Sequence, residues 1–357
     1  MAFLRFNNVK ISGIAAAVPS LVIDNSRFQS NLSEKETEKI ISKTGIAQRR
    51  FAGENISSGD LAFAAAEKLI NDMNINRGEI DLVIFLSQTP DYKIPTTSAI
   101  LQHRLGLPKT TASFDINQGC SGYIYGLSTA FSYASQPGIN KVLLLVSETL
   151  SKTLSKNDRN TSLLFGDGAT ATLIEKTDLP IISWFSLNTD GSGENAIKIP
   201  AGGYKNPSSV ENLKSIEQED GSIRTEHNLS MDGVLVFNFT VAEVVDDINR
   251  VLNFSGLTTN EIDKMIFHQS NRYMIDFFLK KLQYPAEKSP VSIHRFGNTS
   301  GVSIPLTIVS ELQELNSKKE KILMCGYGSG LSWATAVTDL DHCHISKLIE
   351  IPVDTEH

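Results

Sequence analysis

The chain has 357 residues, 41% of them hydrophobic and 20% charged, enough for one large domain or two ordinary ones with real cores. A formal net charge of −7 and a pI near 5.6 argue against general nucleic-acid binding. No apolar run approaches a membrane span. The cysteines, Cys120, Cys325 and Cys343, are too widely spaced for a disulfide framework or a zinc pattern, so a reducing cytoplasm is expected.

In chain order, Val9–Ile14 reads as a first strand leading into a Gly/Ala/Pro turn. The same stretch, ISGIAAAVP, has the look of a secretory apolar region, but Lys10 interrupts it and the charges ahead are weak. Helical spacing is expected over Ser58–Met73, Ser121–Ala134, Val241–Asn253, Asn271–Leu282 and Val302–Leu315. In Ser121–Ala134, Tyr123, Leu127, Ala130 and Ala134 fall on one face. The short runs Val142–Val146 and Ile322–Cys325 read as buried strands. Tyr204–Ser230, polar and carrying Pro207 and Gly221, reads as a long surface insertion. His342, Cys343 and His344 resemble a metal tract but read better as a solvated turn.

Three pairs of segments echo one another. EIDLVIF at Glu79 pairs with EIDKMIF at Glu261, Cys120-Ser121-Gly122 with Thr299-Ser300-Gly301, and KVLLLV at Lys141 with KILMCG at Lys321. Recurrence at nearly constant spacing implies an internal duplication, with halves at 1–177 and 178–357. Each half alternates strand and helix, which means an α/β fold with helices covering a sheet.

The duplication focuses attention on Cys120, in DINQGCSGYIYGL. It stands in a glycine-flanked turn between a strand, Ala112–Ile116, and a helix start. The amide groups and dipole of a helix N-terminus lower a thiol pKa, and small neighbours leave room for attack. A free cysteine there is more often a small packed hydrophobe, so the turn alone leaves both roles open. His268 ends the strand Lys264–Phe267 and occupies the position equivalent to Leu86. Asn298 precedes the helix start equivalent to that of Cys120, where an ordinary N-cap is an equal reading. Gly326–Gly330 reads as a tight loop able to aim backbone N–H groups at an oxyanion.

With these residues in place, the chain resembles the β-ketoacyl-acyl-carrier-protein synthase III group of the thiolase superfamily. The resemblance rests on DINQGCSG around Cys120, FHQSN around His268 and FGNTSGVSIP around Asn298. FGDGATA at Phe165–Ala171, GYGSGLSWATA and TGIAQRR at Thr44–Arg50 reinforce it. It implies a five-layer αβαβα thiolase fold with internal duplication, in a homodimer without cofactor or metal. It also implies that Cys120 accepts an acyl group from acyl-CoA or an acyl carrier protein. His268 and Asn298 would promote decarboxylation of a malonyl thioester carried as malonyl-ACP, with backbone N–H groups of Cys120 and Ser329 as the oxyanion hole. Ile94 would line the partner's acyl pocket, and Arg272, Lys280 and Lys281 would meet the carrier protein.

Departures cluster at the entrance. Lys39 stands where the family often has an adenine-stacking Trp, Tyr273 where it has an Arg, and Asn238 where a basic residue is frequent. Gln118-Gly119 replaces a small apolar pair before the cysteine. The same fold also supports acyl transfer to an oxygen or nitrogen nucleophile in secondary-metabolite or surface-sugar synthesis, the alternative to condensation.

Overall fold

The computed structural model describes residues 2–315 and 319–353. Two sheets carry the fold. One runs, in spatial order, His344–Ile345, Val9–Pro19, Gly168–Lys176, Lys141–Glu148, Leu82–Leu86 and Ala112–Ile116, with Ile349–Ile351 also pairing with Val9–Pro19. The other runs Ala2–Asn7, Ile182–Thr189, Ser332–Asp341, Lys319–Gly328 and Lys264–Phe267.

The two sheets follow one plan. Leu82–Leu86 is parallel to Lys141–Glu148, which is antiparallel to Gly168–Lys176. Likewise Lys264–Phe267 is parallel to Lys319–Gly328, which is antiparallel to Ser332–Asp341. Each sheet also takes an edge from the opposite end of the chain. Ala2–Asn7 pairs with Ile182–Thr189, while His344–Ile345 and Ile349–Ile351 pair with Val9–Pro19. These exchanged edges tie the two sheets together.

Eight α-helices are described: α1 (Glu34–Thr44), α2 (Ser58–Asp72), α3 (Thr97–Arg104), α4 (Gly122–Ala134), α5 (Gly233–Ser255), α6 (Arg272–Leu282), α7 (Ile293–Phe296) and α8 (Ser303–Glu311). Helices α2 and α3 cover the outer face of the first sheet, burying Leu61, Ala65, Leu69 and Leu101. Helices α5 and α6 do the same for the second through Val244, Ile248, Ile275 and Phe278. Between the sheets lie α4 and α8, whose Tyr123, Leu127, Phe131, Leu306 and Ile308 share one core with strands of both sheets. A helix between two sheets must be apolar nearly all round, and α4 is. The result is the five-layer αβαβα thiolase-like fold.

Several expectations need correction. The first strand does not stop at Ile14 but continues to Pro19. Ala15, Ala16 and Ala17 read locally as a turn, yet they are fully buried, where small side chains let helices approach both faces of the sheet. Helix α5 begins eight residues before Val241, at Gly233, because the Asp232 carboxylate accepts from the N–H groups of Val234 and Leu235. Its exposed Val234, Leu235 and Phe237 had broken the amphipathic pattern. The histidine–cysteine tract is no solvated turn. Cys343 is buried in the central core, and His344–Ile345 joins the first sheet.

The segment read as a surface insertion, Tyr204–Ser230, is anchored to the body of the fold. Leu229 N–H donates to Thr153 O at 2.9 Å, Ser155 Oγ to Ile223 O at 2.6 Å, and Arg224 pairs with the buried Asp158 at 2.8 Å. The segment therefore lies across the loop that follows the Lys141–Glu148 strand, and it brings Leu229 to the site described next.

Candidate active site

Cys120 sits in the turn joining Ala112–Ile116 to α4, two residues before the first helical residue. The turn is pressed from both sides. A side chain at Gly326 would meet Cys120 O at 2.8 Å, one at Gly328 would meet Cys120 Sγ at 2.8 Å, and one at Gly301 would meet Gly119 O at 3.0 Å. The glycines thus serve close approach of three chain segments around one sulfur.

The thiol is not in the low-pKa state expected of a helix N-terminus. Burial pushes it up to about 11, opposed by hydrogen bonds from the Ser300 hydroxyl and the Ser329 backbone and reinforced by the Glu148 carboxyl. With only 7% of the residue exposed, desolvation of a thiolate outweighs the local dipoles.

His268 ends its strand with its backbone N–H on Cys325 O at 2.8 Å. Its Nδ1 lies 2.7 Å from Ser303 Oγ, at the start of α8, and its ring stands edge-on to Tyr327. The Ser303 oxygen also receives the Gln269 N–H at 3.3 Å, and we assign its one proton to Nδ1. That assignment puts the imidazole proton on Nε2. Burial holds the ring neutral, pushing its pKa down to about 3 against a smaller opposing hydrogen bond to the Ser300 backbone.

Asn298 follows α7 through Gly297, whose φ of +68° and close approach to Leu164 O suit only glycine. Asn298 N–H donates to Leu164 O at 2.9 Å, and its Oδ1 accepts the Ser300 N–H at 2.9 Å. Among the described residues its amide nitrogen makes no hydrogen bond. It is not an N-cap of α8, which starts five residues later at Ser303.

One pocket of about 170 Å³ collects these groups. Cys120, His268, Asn298, Ser329 and Gly328 line it, together with an apolar wall of Leu150, Phe165, Ile197, Leu229 and Met231. Ser329 occupies the turn between Lys319–Gly328 and Ser332–Asp341, so the expected oxyanion loop is shorter than Gly326–Gly330.

Ser300 was missed from the sequence. It touches all three principal residues, through its hydroxyl, its N–H and its backbone beside His268. The signal was present, since Ser300 lies within the echo of Cys120-Ser121-Gly122. Glu148 had no such signal. It is fully buried beneath the site, takes hydrogen bonds from Gln88 N–H and Thr89 Oγ1 at 3.0 and 2.7 Å, and is pushed up to about 7 by burial.

Other named residues lie elsewhere. Ile94 is 80% exposed and outside this pocket. Arg272, Lys280 and Lys281 are exposed on α6, Arg272 paired with Asp276 at 2.8 Å and Lys281 over the Phe277 ring. Among the described residues, no group of His, Cys, Asp and Glu is placed to hold a metal ion, and no helix is long and apolar enough to cross a membrane.

Residues 114–191 match the family 3-oxoacyl-[acyl-carrier-protein (ACP)] synthase III, and residues 252–340 match its C-terminal counterpart. The chain is 36% identical over 336 residues to β-ketoacyl-[acyl-carrier-protein] synthase III of Clostridium acetobutylicum, covering 93% of this chain and 98% of that one. It is 34% identical to the Clostridioides difficile protein of the same name, covering 92% and 97% of the two chains. The chain belongs to the β-ketoacyl-acyl-carrier-protein synthase III family. The crystal structure of a 3-oxoacyl-(acyl-carrier protein) synthase from Burkholderia xenovorans LB400 superposes with a TM-score of 0.92 at 36% identity, covering 98% and 99% of the chains.

The entrance residues singled out in the sequence lie at the surface of this synthase III family member. Tyr273 and Phe237, both exposed, lie 6.3 Å apart between centroids with their rings tilted by 34°, beside Asn271 and Met274 of the pocket rim. Asn238 and Lys39 are also exposed. Tyr273 puts an aromatic ring where the resemblance leads to an Arg, and Asn238 puts a neutral side chain where it leads to a basic one.

Proposed function

We propose that the enzyme loads an acyl group onto Cys120 and condenses it with the carbanion formed by decarboxylating a malonyl thioester. The observation that carries this reading is the meeting of Cys120, His268 and Asn298 in one pocket, with Ser300 in contact with all three.

In acylation, Cys120 sulfur attacks the donor thioester carbonyl. The oxyanion is held by the N–H groups of Cys120 and Ser329, and collapse expels the donor thiol, which takes up the proton lost by Cys120. The malonyl thioester then binds with its carbonyl oxygen between His268 Nε2 and the Asn298 amide nitrogen. Loss of CO₂ leaves the electron pair delocalised onto that oxygen, where two neutral donors stabilise it. A neutral His268 serves this as an N–H donor, and burial keeps it neutral. The α-carbon attacks the acyl-Cys120 carbonyl, the new carbon–carbon bond forms, and the Cys120 thiolate leaves and is reprotonated.

In this reading the half at 1–177 supplies the nucleophile, and the half at 178–357 supplies the enolate pair. The donor is an acyl-CoA or acyl carrier protein thioester, the extender resembles malonyl-ACP, and the carrier protein docks on Arg272, Lys280 and Lys281. A second copy of the chain, in the cytoplasm, completes a homodimer and covers Ile94. The test is intact mass of the enzyme with a panel of acyl thioesters, followed by CO₂ release on adding the malonyl thioester. Acyl-Cys120 without malonyl-dependent CO₂ would favour transfer to an oxygen or nitrogen nucleophile instead.

A further inference from the structure

Two turns meet at the Cys120 sulfur, its own and the one carrying Ser329, and the backbone N–H groups of both residues hydrogen-bond it. A chain of side-chain hydrogen bonds fastens these turns together, and it starts at the half-buried Gln118. The Gln118 amide nitrogen lies 3.1 Å from Ser121 Oγ and 3.0 Å from Ser332 Oγ. The two hydroxyls are 2.7 Å apart, and Ser332 Oγ is 2.7 Å from Ser329 O. Both serines are buried.

The protons of this chain can be placed one by one. Ser329 O only accepts, so Ser332 donates its single proton there. Ser332 Oγ then has only lone pairs for its other neighbours, and Ser121 donates to it. Ser121 Oγ in turn has only lone pairs left for Gln118. Both oxygens need a donor, and the amide nitrogen of Gln118 carries two N–H groups, one for each. Turned the other way, the amide would put its oxygen 3.0 Å from Ser332 Oγ with no proton between them. The amide orientation is therefore set by two partners, and every proton runs toward Ser329 O. Gln118 stands where the resemblance leads to a small apolar residue, which has no donor for this chain.

We propose that Gln118 is a positioning residue that ties the Ser329 turn to the Cys120 turn and so sets the spacing of the two oxyanion-binding N–H groups. It does not line the pocket itself and acts through Ser332 and the Ser329 backbone. The inference rests on the reading of those N–H groups as the oxyanion hole for acyl loading.

Gln118→Met keeps the length of the side chain and removes both donors. In the full-length enzyme, the maximal rate of Cys120 acylation, read by mass of the Cys120 peptide, is expected to fall about tenfold. The half-saturating donor concentration should stay the same. The loss is smaller than the 10²- to 10³-fold that follows outright removal of an oxyanion donor, because the N–H groups remain. The pH midpoint for alkylation of Cys120 by iodoacetamide should move up, since the Ser329 N–H that lowers the thiol pKa is held less firmly. Ser332→Ala breaks the same chain and carries the same expectation should Gln118→Met not fold. The double variant should lose no more than Ser332→Ala alone, because both act through one hydrogen bond to Ser329 O. An alkylation midpoint unmoved by Gln118→Met, or losses that add in the double variant, overturns the inference and leaves the loading role intact. A wild-type enzyme that takes no acyl group from any donor overturns the proposed function, and the alkylation midpoint alone then decides the role of Gln118.

Discussion

The Ser300 hydroxyl lies 3.7 Å from the Cys120 sulfur, and the two residues stand 180 positions apart. That separation is the spacing of the internal echoes. The turn carrying Cys120 and the turn carrying Ser300 face each other across the centre of the molecule, with Gly301 packed against Gly119 O. Duplication therefore does more than repeat a sheet. It brings two related turns face to face, one carrying Cys120 and the other carrying Asn298 and Ser300, which also meets His268.

This arrangement separates the chemical roles. Cys120→Ala should abolish acyl loading, because Cys325 and Cys343 are buried in packed cores away from the pocket. His268→Ala and Asn298→Ala should still load but lose about 10²- to 10³-fold in CO₂ release, the usual cost of removing one donor from a developing oxyanion. Loading blocked as fully by either substitution as by Cys120→Ala would refute the assignment.

The sulfur's own ionisation gives a second expectation. Its pKa in the folded chain is raised from an ordinary 9.0 to about 11, so alkylation by iodoacetamide should climb with pH toward that value. Removing the Ser300 hydroxyl in Ser300→Ala takes away a hydrogen bond that lowers the pKa, and the midpoint should move up. The linked stability has a definite sign. A pKa raised on folding contributes fully below the unfolded value and is lost as pH climbs from 9.0 through about 11. Alkylation followed by peptide mass against pH checks this, and a midpoint below 9 would contradict it.

What could be read from sequence follows from where information is local. The apolar run read as a strand at Val142–Val146 and the helical spacing read at Ser121–Ala134 are local signals and were legible. Ala15–Ala17 were misread because three small residues have no local preference that outweighs burial between helices. Cys120, His268 and Asn298 were singled out by their turns and strand ends. The high pKa of Cys120 was not legible, because desolvation depends on segments that pack over it from positions 300 and 328. The same holds for Gln118, whose hydrogen bond to Ser332 exists only in three dimensions.

Ile94 yields a third expectation. A large aliphatic side chain that is 80% exposed, next to Pro95 and outside its own pocket, is a poor surface residue but a good cover for a neighbour. A symmetric dimer should form in which each copy's Ile94 lines the other's acyl channel. Light scattering should give twice the chain mass, and Ile94→Ala should broaden the acyl lengths accepted by Cys120. A monomer at working concentration would defeat the idea.

The last expectation concerns the donor. Coenzyme A recognition by stacking needs an aromatic platform, and Lys39 on α1 offers none. The contact forgone is worth about 1–3 kcal/mol per base. The cations that remain are spread along α6. Arg272 begins the helix near the pocket rim, while Lys280 and Lys281 occupy its last turn, about 12 Å along the axis. Arg272 is partly neutralised by Asp276, so the two lysines supply most of the field for an acidic carrier. Exposed charges of this kind act mainly on encounter rate and are screened by salt. One acyl group should therefore load faster from an acyl carrier protein than from coenzyme A. The advantage should shrink as salt rises and disappear in Lys280→Glu with Lys281→Glu. Loading rates for one chain on both carriers, at low and high salt, decide the matter. Equal rates throughout, or a coenzyme A preference indifferent to the double reversal, would mean that the aromatic rim of Phe237 and Tyr273 governs donor choice instead.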